Sequence, residues 1–522
     1  MKAVNIKTEY LKNPLGIDIE NPRVMWNCEG GVTQNAYQIV TDDWDSGKIE
    51  SSSMRIVVPV KFEKGKRVTY RIKLWDENDT EGEFSEENFF EYGIKNWSAK
   101  WITGNYEVDK KGYEKEKKLE KSFFLSGVNY LATANKPEPD RFPVDCFKKE
   151  FGAKKNVESA RLYATACGIY SAYINGEKVS MPLAPGITDY RKRVQYQTYD
   201  VTKLIKENNV INIDLADGWY RGSCGAWGLK NQYGCETKIL AQLEIKYADG
   251  TNDTISTDRS WLWSNDGAIS FADNKDGEIV DANKKPTYSS RAKETSYAVV
   301  PSASNNVPIA EKAIFKGKMT TAPSGKKIID FKQNLAGYVS FKINAKQGQK
   351  ITLRFGEMLD ANGELTLKNI QCTNKKLTTP LQKIEYTCKD GLNEYKTSFA
   401  IFGFQYMEID TEIEVSDDCL TAIAVYSDME ETGFFESSNE LLNKFVTATK
   451  WSTKSNSTDL PTDCPTRERH GWTGDAQIFF NTAAYLFDYA TFSEKYIRDV
   501  FDWQQKDGKL PQIAPYGGVG GV

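Results

Sequence analysis

The sequence predicts a multidomain protein in which three β modules precede the start of a helical domain. A chain of 522 residues is too long to fold around one hydrophobic core. Up to residue 428, apolar and polar residues often alternate with the period of two that is typical of half-buried strands. After Ser427 the apolar residues recur with helical spacing instead. This change of period separates the β modules from the helices.

The composition argues against several classes of function. A net charge of −4 gives no basic surface for nucleic acid and no polybasic patch for membrane lipid. With His470 as the only histidine, Ser-His-Asp catalysis, Cys-His catalysis and HExxH zinc sites are not expected. The nine cysteines include no CxxC pair and predict neither a zinc site nor a disulfide framework. No cofactor or metal is predicted, and an oxygen-ligand calcium site in a β module is left open.

Targeting signals are also missing from the sequence. Residues 1–16 lack the apolar segment of a signal peptide, and no window is long and apolar enough to span a bilayer. We therefore expect a soluble protein in the reducing cytoplasm. The aromatic content of 12% suits β-rich cores, and it also suits sugar binding, in which flat rings stack on pyranose faces.

The first module covers residues 1–95. Residues 36–43 and 68–85 alternate apolar and polar side chains, which predicts short strands of a small β-sandwich. A tryptophan-rich junction and a charged run at residues 109–121 follow. We interpret the charged run as a solvated loop or exposed helix without a function of its own.

The second module, residues 96–300, reads as a jelly-roll-like sandwich, and residues 301–428 as a third β module. The dipeptide Asn175-Gly176 between two apolar segments predicts a type I′ hairpin turn. The stretch 216–234 is rich in glycine and aromatic residues. It would suit a loop that faces sugar, but we prefer a tight turn with Trp219 in the sandwich core.

Helices are predicted in residues 429–522. Leu441, Leu442, Phe445 and Val446 lie on one face of the first helix, for which Ser438 or Asn439 can serve as N-cap. Two more helices follow residue 474. The second of them carries an apolar face, formed by Phe492, Tyr496, Val500 and Trp503.

A charged stretch, "LPTDCPTRERHGWTGDAQIFF", lies between the first two helices at residues 460–480. Glycosidases use one carboxyl group as an acid and a second one to activate water or attack carbon. Neighbouring carboxylates raise the pKa of an acid, as catalysis at neutral pH requires. A salt-bridged surface loop, with Asp475 as N-cap of the next helix, explains the composition alone better. The candidate residues are three carboxylates, two arginines and one ring: Asp463, Glu468, Asp475, Arg467, Arg469 and Trp472.

The segment "TDCPTRERHGWTGDAQ" closely resembles the signature of bacterial α-L-rhamnosidases, glycoside hydrolase family 78. "NPLGIDIENPRVMW" resembles the family's N-terminal fibronectin- or immunoglobulin-like domain, and "ADGWYRG" its jelly roll. "IIDFKQNLAGYVSFKINAKQGQKITLRFGEML" resembles the β domain before the barrel. The resemblance covers essentially the whole chain. It implies three β-sandwich modules followed by the beginning of an (α/α)6 barrel, truncated at the C-terminus.

The resemblance also implies an α-L-rhamnosidase that removes terminal rhamnose from glycosides or oligosaccharides by inversion. Glu468 matches the general acid, Asp463 and Asp475 match carboxylates that hold rhamnose hydroxyls, and Trp472 matches the aromatic residue of the pocket. Arg467 is expected to orient the carboxylates or a hydroxyl.

Three departures from the family pattern are visible. Many members have an extra acidic residue before the glutamate, where this chain has the shorter "RER". His470 replaces the usual leucine and predicts a more polar pocket wall. The family's general base is a glutamate farther along the barrel, beyond Val522. We therefore expect a catalytically incomplete chain with no significant rhamnosidase activity.

The missing helices would also affect packing. We expect a poorly packed C-terminal hundred residues, with uncovered apolar faces that aggregate or form a homodimer contact. These faces are built on Phe445, Phe480, Leu486 and Trp503. Two other functions stay open: a related inverting glycosidase for a hexuronic acid or another 6-deoxyhexose, and a non-catalytic carbohydrate-binding or scaffold protein.

Overall fold

A computed structural model describes residues 1–114, 142–225, 229–374 and 377–517. Within these ranges the chain is built from β-strands up to Ser427 and from helices thereafter. No helix among the described residues is long and apolar enough to cross a membrane. Most of the charged run at 109–121 lies outside the described residues.

The first domain is a sandwich of a three-stranded sheet, β1-β3-β6, and a five-stranded sheet, β2-β8-β7-β4-β5. Strand β7 shows why this segment forms one face of a sandwich. Its apolar residues alternate with more exposed ones, and all four are buried in the core: Val68, Tyr70, Ile72 and Leu74. The predicted strands are therefore present, although the second one ends at Trp75. The strands are β1 (Lys2–Thr8), β2 (Leu15–Ile17), β3 (Arg23–Glu29), β4 (Ala36–Thr41), β5 (Ile49–Glu50), β6 (Arg55–Val57), β7 (Arg67–Trp75) and β8 (Asn88–Tyr92).

The second domain is a sandwich of six- and seven-stranded sheets, ordered β13-β12-β15-β10-β18-β21 and β22-β9-β16-β11-β14-β23, with β17 paired to β16. Asn175 and Gly176 have φ values of 52° and 86°, which are the left-handed values of the predicted type I′ turn. Trp219 is buried in a core cluster, in agreement with the preferred interpretation. The elements are β9 (Ile102–Thr103), β10 (Asp145–Gly152), β11 (Val157–Cys167), β12 (Ile169–Ile174), β13 (Glu177–Lys178), β14 (Gln195–Asp200), β15 (Asn208–Ala216), α1 (Gly218–Arg221), β16 (Lys238–Tyr247), β17 (Asn252–Ser256), β18 (Leu262–Ser264), β19 (Ile269–Asp273), β20 (Gly277–Asp281), β21 (Ser290–Arg291), β22 (Lys293–Glu294) and β23 (Ser302–Ala303).

The third domain contains two separate strand pairs, β28-β29 and β30-β31, and is built on one continuous ten-stranded sheet. The cause is β26, a strand of 19 residues that pairs along its length with β25, β33, β34 and β35. The strands are β24 (Ile309–Lys316), β25 (Lys318–Thr321), β26 (Lys327–Ala345), β27 (Lys350–Gly356), β28 (Met358–Leu359), β29 (Leu365–Thr366), β30 (Cys372–Asn374), β31 (Leu377–Thr379), β32 (Lys383–Thr387), β33 (Gly391–Lys396), β34 (Phe402–Asp410) and β35 (Leu420–Ser427).

The β19–β20 hairpin links the second and third domains. Although it precedes residue 300, it belongs to the sheet of the third domain, because β20 pairs in parallel with β32 from Gly277↔Lys383 to Asp281↔Thr387. At Gly277, φ is +115° and a Cβ atom would lie 1.7 Å from the Lys383 carbonyl oxygen, so only glycine fits. The sequence had placed these residues in the second module, 96–300, without indicating that they join the sheet of the third domain.

Three helices follow: α2 (Glu440–Ser455), α3 (Thr473–Leu486) and α4 (Ala490–Phe501). Asn439 is the N-cap of α2, as predicted, and its side chain accepts hydrogen bonds from the amides of Leu441 and Leu442. Phe492, Tyr496 and Val500 form the buried face of α4, whereas Trp503 lies beyond its end.

The expectation of a poorly packed C-terminal segment is wrong for α4, which has a buried face, but it agrees with α2 and α3. On these two helices Leu441, Ile478 and Tyr485 are 74%, 77% and 82% exposed. Ala476, Tyr496 and Val500 belong to the same buried cluster as Ile187 and Trp219 of the second domain. Residues of the second domain therefore cover the buried face of α4. Phe445, in contrast, is 68% exposed, as predicted.

The other three residues that were predicted to be uncovered find partners. Phe480 packs against the rings of Tyr489 and Tyr496, at centroid distances of 5.5 and 5.8 Å. Trp503 donates its indole N–H to Asp189 Oδ2 at 2.5 Å. Leu486 is partly buried against the cluster around Phe487. Of the four residues, only Phe445 is left largely uncovered.

Candidate active site

The loop between α2 and α3 presents Glu468 at a partly open position. The Glu468 side chain is 23% exposed, and its Oε2 accepts a 3.0 Å hydrogen bond from the Trp472 indole N–H. Its Oε1 lies 4.0 Å from Nη2 of Arg467, whose side chain is 47% exposed. The Glu468 amide donates to the Cys464 sulfur at 3.3 Å. The carboxyl group is therefore held from within its own loop while one oxygen stays less restrained.

Asp463 closes the same loop from its start. Its Oδ1 accepts from the His470 amide at 2.8 Å, and its own amide donates to the His470 carbonyl at 3.0 Å. Burial raises the pKa of Asp463, the Glu468 charge adds to that effect, and hydrogen bonds from Cys464 and His470 oppose it. Asp463 and Glu468 are thus electrostatically coupled, which agrees with two carboxylates serving one site.

Asp475 is less closely integrated than the sequence suggested. The helix α3 begins at Thr473, and its N-cap is Trp472 rather than Asp475. Asp475 lies in the first helical turn, where its charge is favourable to the helix dipole, and its side chain is exposed. The loop brings Asp463, Arg467, Glu468 and Trp472 together, while Asp475 borders them without a hydrogen bond to the other carboxylates.

Arg469 is not available as a donor to sugar. Its guanidinium donates to the carbonyls of Pro465 and Asn274 at 2.9 Å each, and to Gln382 Oε1 at 3.4 Å. Burial lowers its pKa to about 10. With φ at +55°, the backbone of Arg469 turns back sharply and aims the side chain into the protein. Arg469 therefore anchors the loop instead of lining a pocket.

His470 does not make the pocket wall more polar, so that expectation is wrong. The side chain is 3% exposed and packs beneath the loop, where a Cβ on Gly225 would lie 2.0 Å from its Nε2. Burial, followed by the positive charge of Lys275, lowers the pKa of His470 to about 3. The imidazole is neutral and takes the interior place that an apolar residue could occupy.

Sequence reasoning missed the residues that support this loop from below. Lys275, in the turn between β19 and β20, donates to the carbonyls of Arg467 and Gly225 at 2.6 and 2.5 Å. Its neighbour Asn274 accepts from Arg469. The only local signal was the charged run "DNKDGE" between two strand patterns, which would ordinarily be read as a solvated turn.

A buried ionic network ties α4 to the second domain. Lys495 lies 3.2 Å from Asp459 Oδ2 and 3.0 Å from Asp499 Oδ2, and Asp499 also pairs with Arg193. Asp459 in turn accepts from the amide of Ile187 at 2.7 Å. The loop that carries Glu468 thus follows Asp459, whose side chain is held by Lys495 of α4 and by the amide of Ile187.

In the part of the chain that the structure describes, no group of three or more histidine, cysteine, aspartate or glutamate side chains is placed to hold a metal ion.

Three β domains followed by helices, with a carboxyl group held by an indole in the first interhelical loop, have the form of a multidomain glycosidase. Family models match in series: a Rha78A-like N-terminal immunoglobulin domain at 3–96, an α-L-rhamnosidase N-terminal domain at 155–317, and a bacterial α-L-rhamnosidase concanavalin-like domain at 320–426. The bacterial α-L-rhamnosidase six-hairpin glycosidase domain matches 430–522. The chain is a homologue of the bacterial α-L-rhamnosidases of glycoside hydrolase family 78.

Individual relatives agree with these matches. An α-L-rhamnosidase of Alteromonas sp. is 32% identical over 99% of this chain and 57% of its own length. The structure of the α-L-rhamnosidase from Dictyoglumus thermophilum aligns with a TM-score of 0.85 at 30% identity, over 99% of this chain and 59% of that chain. The structure of the Streptomyces avermitilis α-L-rhamnosidase complexed with L-rhamnose aligns with a TM-score of 0.87 at 25% identity. The alignment covers 99% of this chain and 67% of that chain. The chain thus spans little more than half the length of the first two relatives.

Proposed function

We propose that this chain carries the general acid and sugar-binding residues of an α-L-rhamnosidase that removes terminal α-L-rhamnose from glycosides or polysaccharides with inversion. The relatives named above support the activity, and one of their structures holds L-rhamnose. The observation that carries the proposal is the partly exposed Glu468 carboxyl group, held by the Trp472 indole beside Asp463.

Glu468 is assigned the role of acid. When protonated, it donates its proton to the glycosidic oxygen as the bond from that oxygen to the rhamnose C1 breaks. A water molecule forms the new bond to C1 from the opposite face and passes its proton to a second carboxylate. Protonation matters because the alkoxide of a natural glycoside is a poor leaving group. Glu468 ends the step as the carboxylate, with the Trp472 N–H on one of its oxygens.

Asp463 and Asp475 are assigned to sugar hydroxyls, and Arg467 to orienting Glu468 or a hydroxyl. In inverting enzymes the acid and base carboxyl groups lie roughly 6.5–9.5 Å apart, to admit the water molecule. Asp463 is coupled to Glu468 within one loop and already accepts from the His470 amide. We therefore assign the base to neither aspartate.

The test uses a form of the protein that includes a complete barrel, because the chain as given is expected to be inactive. Its turnover of an aryl α-L-rhamnoside is followed by NMR of the first sugar released, with aryl α-L-fucoside and aryl hexuronide as competitors. We expect β-L-rhamnose as the first product and preference for the rhamnoside. Initial release of the α-anomer would exclude inversion, and preference for another sugar would support the related glycosidase. Binding of L-rhamnose without turnover would support a non-catalytic binding protein. Glu468→Gln is the control for chemistry.

A further inference from the structure

The turn between β19 and β20 contacts the loop between α2 and α3 on both sides of Glu468. Lys275 is 1% exposed, and its ammonium donates to the carbonyl of Arg467, the residue before Glu468, at 2.6 Å. On the other side, Arg469, the residue after Glu468, donates to the carbonyl of Asn274 at 2.9 Å. Two neighbouring residues of one turn thus bind the two neighbours of the proposed acid.

This turn is a rigid support. Both oxygens of Asp273 are occupied: Oδ1 accepts from the amides of Lys275 and Asp276 at 2.9 Å each, and Oδ2 accepts from the Ser223 amide at 2.7 Å. Asp276 Oδ1 accepts from the Leu381 amide at 3.0 Å, which ties the turn to the third domain. The backbone at Lys275 is therefore held in place, and the ammonium has a second anchor in the Gly225 carbonyl at 2.5 Å, which restricts the side chain at the contact with the loop.

The hydrogen bond from the Lys275 ammonium to the Arg467 carbonyl has a charged donor. A hydrogen bond from a charged donor contributes about 1.5–3 kcal/mol, roughly twice the contribution of a neutral one. Among the residues that the structure describes, the groups that hold Glu468 belong to its own loop: the Trp472 indole, the Cys464 sulfur and, at 4.0 Å, the Arg467 guanidinium. These groups move with the loop, so they cannot set its position relative to the β domains. The contacts Lys275–Arg467 and Arg469–Asn274 join the loop to the β19–β20 turn and can therefore set that position.

We propose that Lys275 is a positioning residue for Glu468: its ammonium, fixed by the β19–β20 turn, holds the Arg467 carbonyl and thereby keeps the Glu468 carboxyl group on the Trp472 indole. The positioning of Glu468 by Lys275 is a statement about geometry alone. That it affects catalysis rests on the proposed function of Glu468 as acid. Loss of the contact would let the carboxyl group move, and a misplacement of about 1 Å can cost about 10²-fold in rate.

The environment of Lys275 adds a pH readout. Burial lowers its pKa to about 8, the Arg469 charge acts in the same direction, and Asp276, Cys224 and Asp273 oppose it. His470, also packed nearby, is neutral. Above about pH 8 the ammonium loses its charge and the hold on the Arg467 carbonyl weakens. An effect transmitted through Lys275 should therefore have an alkaline limb that disappears when Lys275 is replaced.

The experiment measures the indole ¹⁵N–¹H resonance of Trp472 in the chain as given, assigned by its loss in Trp472→Phe. Glu468→Gln defines the shift that follows when the indole loses its charged acceptor. We expect Lys275→Met to move the Trp472 resonance toward the Glu468→Gln position and to abolish its change between pH 7 and pH 9. Lys275→Arg should restore most of the original shift. Lys238→Met is the matched control, because Lys238, the first residue of β16, is also buried but pairs with Glu236 at 3.5 Å.

The remaining eleven of the twelve tryptophans report whether a variant has folded. If Lys275→Met disturbs them, Lys275→Gln, which keeps a neutral donor, is measured in its place. A Trp472 resonance that stays at the wild-type position and keeps its pH dependence in a folded Lys275 variant would overturn the proposal. The outcome does not depend on turnover. If a form with a complete barrel hydrolyses no rhamnoside, the proposed function fails, while the coupling of Lys275 to Glu468 and Trp472 is still decided by NMR of the chain as given.

Discussion

The indole Nε1 of Trp472 donates a 3.0 Å hydrogen bond to Oε2 of Glu468, four residues earlier in the chain. The contact distinguishes the two carboxyl oxygens, because among the described residues the guanidinium of Arg467, at 4.0 Å, is the partner given for Oε1. If Glu468 is the acid, as proposed, we infer that Oε1 carries and donates the proton. The ring of Trp472 then orients the proposed acid through its N–H.

Replacing Glu468 with glutamine should affect substrates according to their leaving groups. In a form of the protein that hydrolyses rhamnosides, Glu468→Gln should lower kcat on a natural rhamnoside by about 10²–10⁴-fold, since general acid catalysis typically contributes that much. An aryl rhamnoside with a good leaving group should lose much less. Equal losses on both substrates, measured by initial rates, would show that Glu468 positions substrate and that the acid lies elsewhere.

Removing the indole hydrogen bond should impair catalysis while the ring remains. Trp472→Phe deletes one hydrogen bond to a charged group, which is worth about 1.5–3 kcal/mol, so kcat should fall about 10- to 10²-fold. The aromatic surface is kept, and KM should change little. Trp503→Phe is the control, because it deletes an indole bond to Asp189 away from the loop. A Trp472→Phe variant with wild-type kcat would contradict the orienting role.

The two aspartates assigned to sugar hydroxyls should affect binding itself. Asp463→Asn and Asp475→Asn should each weaken L-rhamnose binding, measured by calorimetry, by about 1.5–3 kcal/mol, because a charged acceptor is replaced by a neutral one. Asparagine keeps an oxygen for the His470 amide, so the loop should keep its shape in Asp463→Asn. The exposed Asp507, paired with Lys509, provides the control variant Asp507→Asn. Unchanged affinity in both site variants would exclude this assignment.

The single histidine should make the protein less stable in mild acid. Its folded-state pKa is about 3 against an ordinary value of 6.5, so between these values the unfolded chain binds a proton that the folded protein does not. The free energy of unfolding should therefore fall as pH falls below 6.5, for this group by about 2 kcal/mol between pH 6.5 and pH 5. His470→Leu should remove that contribution, as measured by urea unfolding at both pH values. An imidazole NMR signal that titrates near pH 6.5 would contradict this prediction.

The buried network around Lys495 should be essential to stability. Lys495→Met leaves the carboxylates of Asp459 and Asp499 without their shared cation, and breaking a buried pair costs about 3–5 kcal/mol. Burial already raises the pKa of Asp499 to about 6. Adding Asp499→Asn should therefore recover part of the loss. The exposed Lys509→Met should change the free energy of unfolding by less than about 0.5 kcal/mol. A small effect of Lys495→Met would show that water compensates the aspartates.

Local patterns in the sequence predicted the elements that depend on neighbouring residues. Asn439 caps α2, Asn175-Gly176 forms the type I′ turn, and the face of Phe492, Tyr496 and Val500 is buried, because capping, turn geometry and periodicity are set within a few residues. The resemblance of the motif likewise placed Glu468 and Trp472 in one loop, where the structure joins them.

Only the tertiary structure decided which polar residues of that loop face outward and which hold it from below. Arg469 carries the same group as the exposed Arg467, yet its guanidinium turns inward to the carbonyls of Pro465 and Asn274, and the next residue, His470, is buried. The left-handed backbone at Arg469 accompanies this reversal. Lys275 reaches the loop from nearly two hundred residues away, since parallel pairing of β20 with β32 brings its turn beneath Glu468. Contacts between distant segments depend on strand pairing and on which groups find a partner when buried, and neither leaves a pattern in the neighbouring sequence.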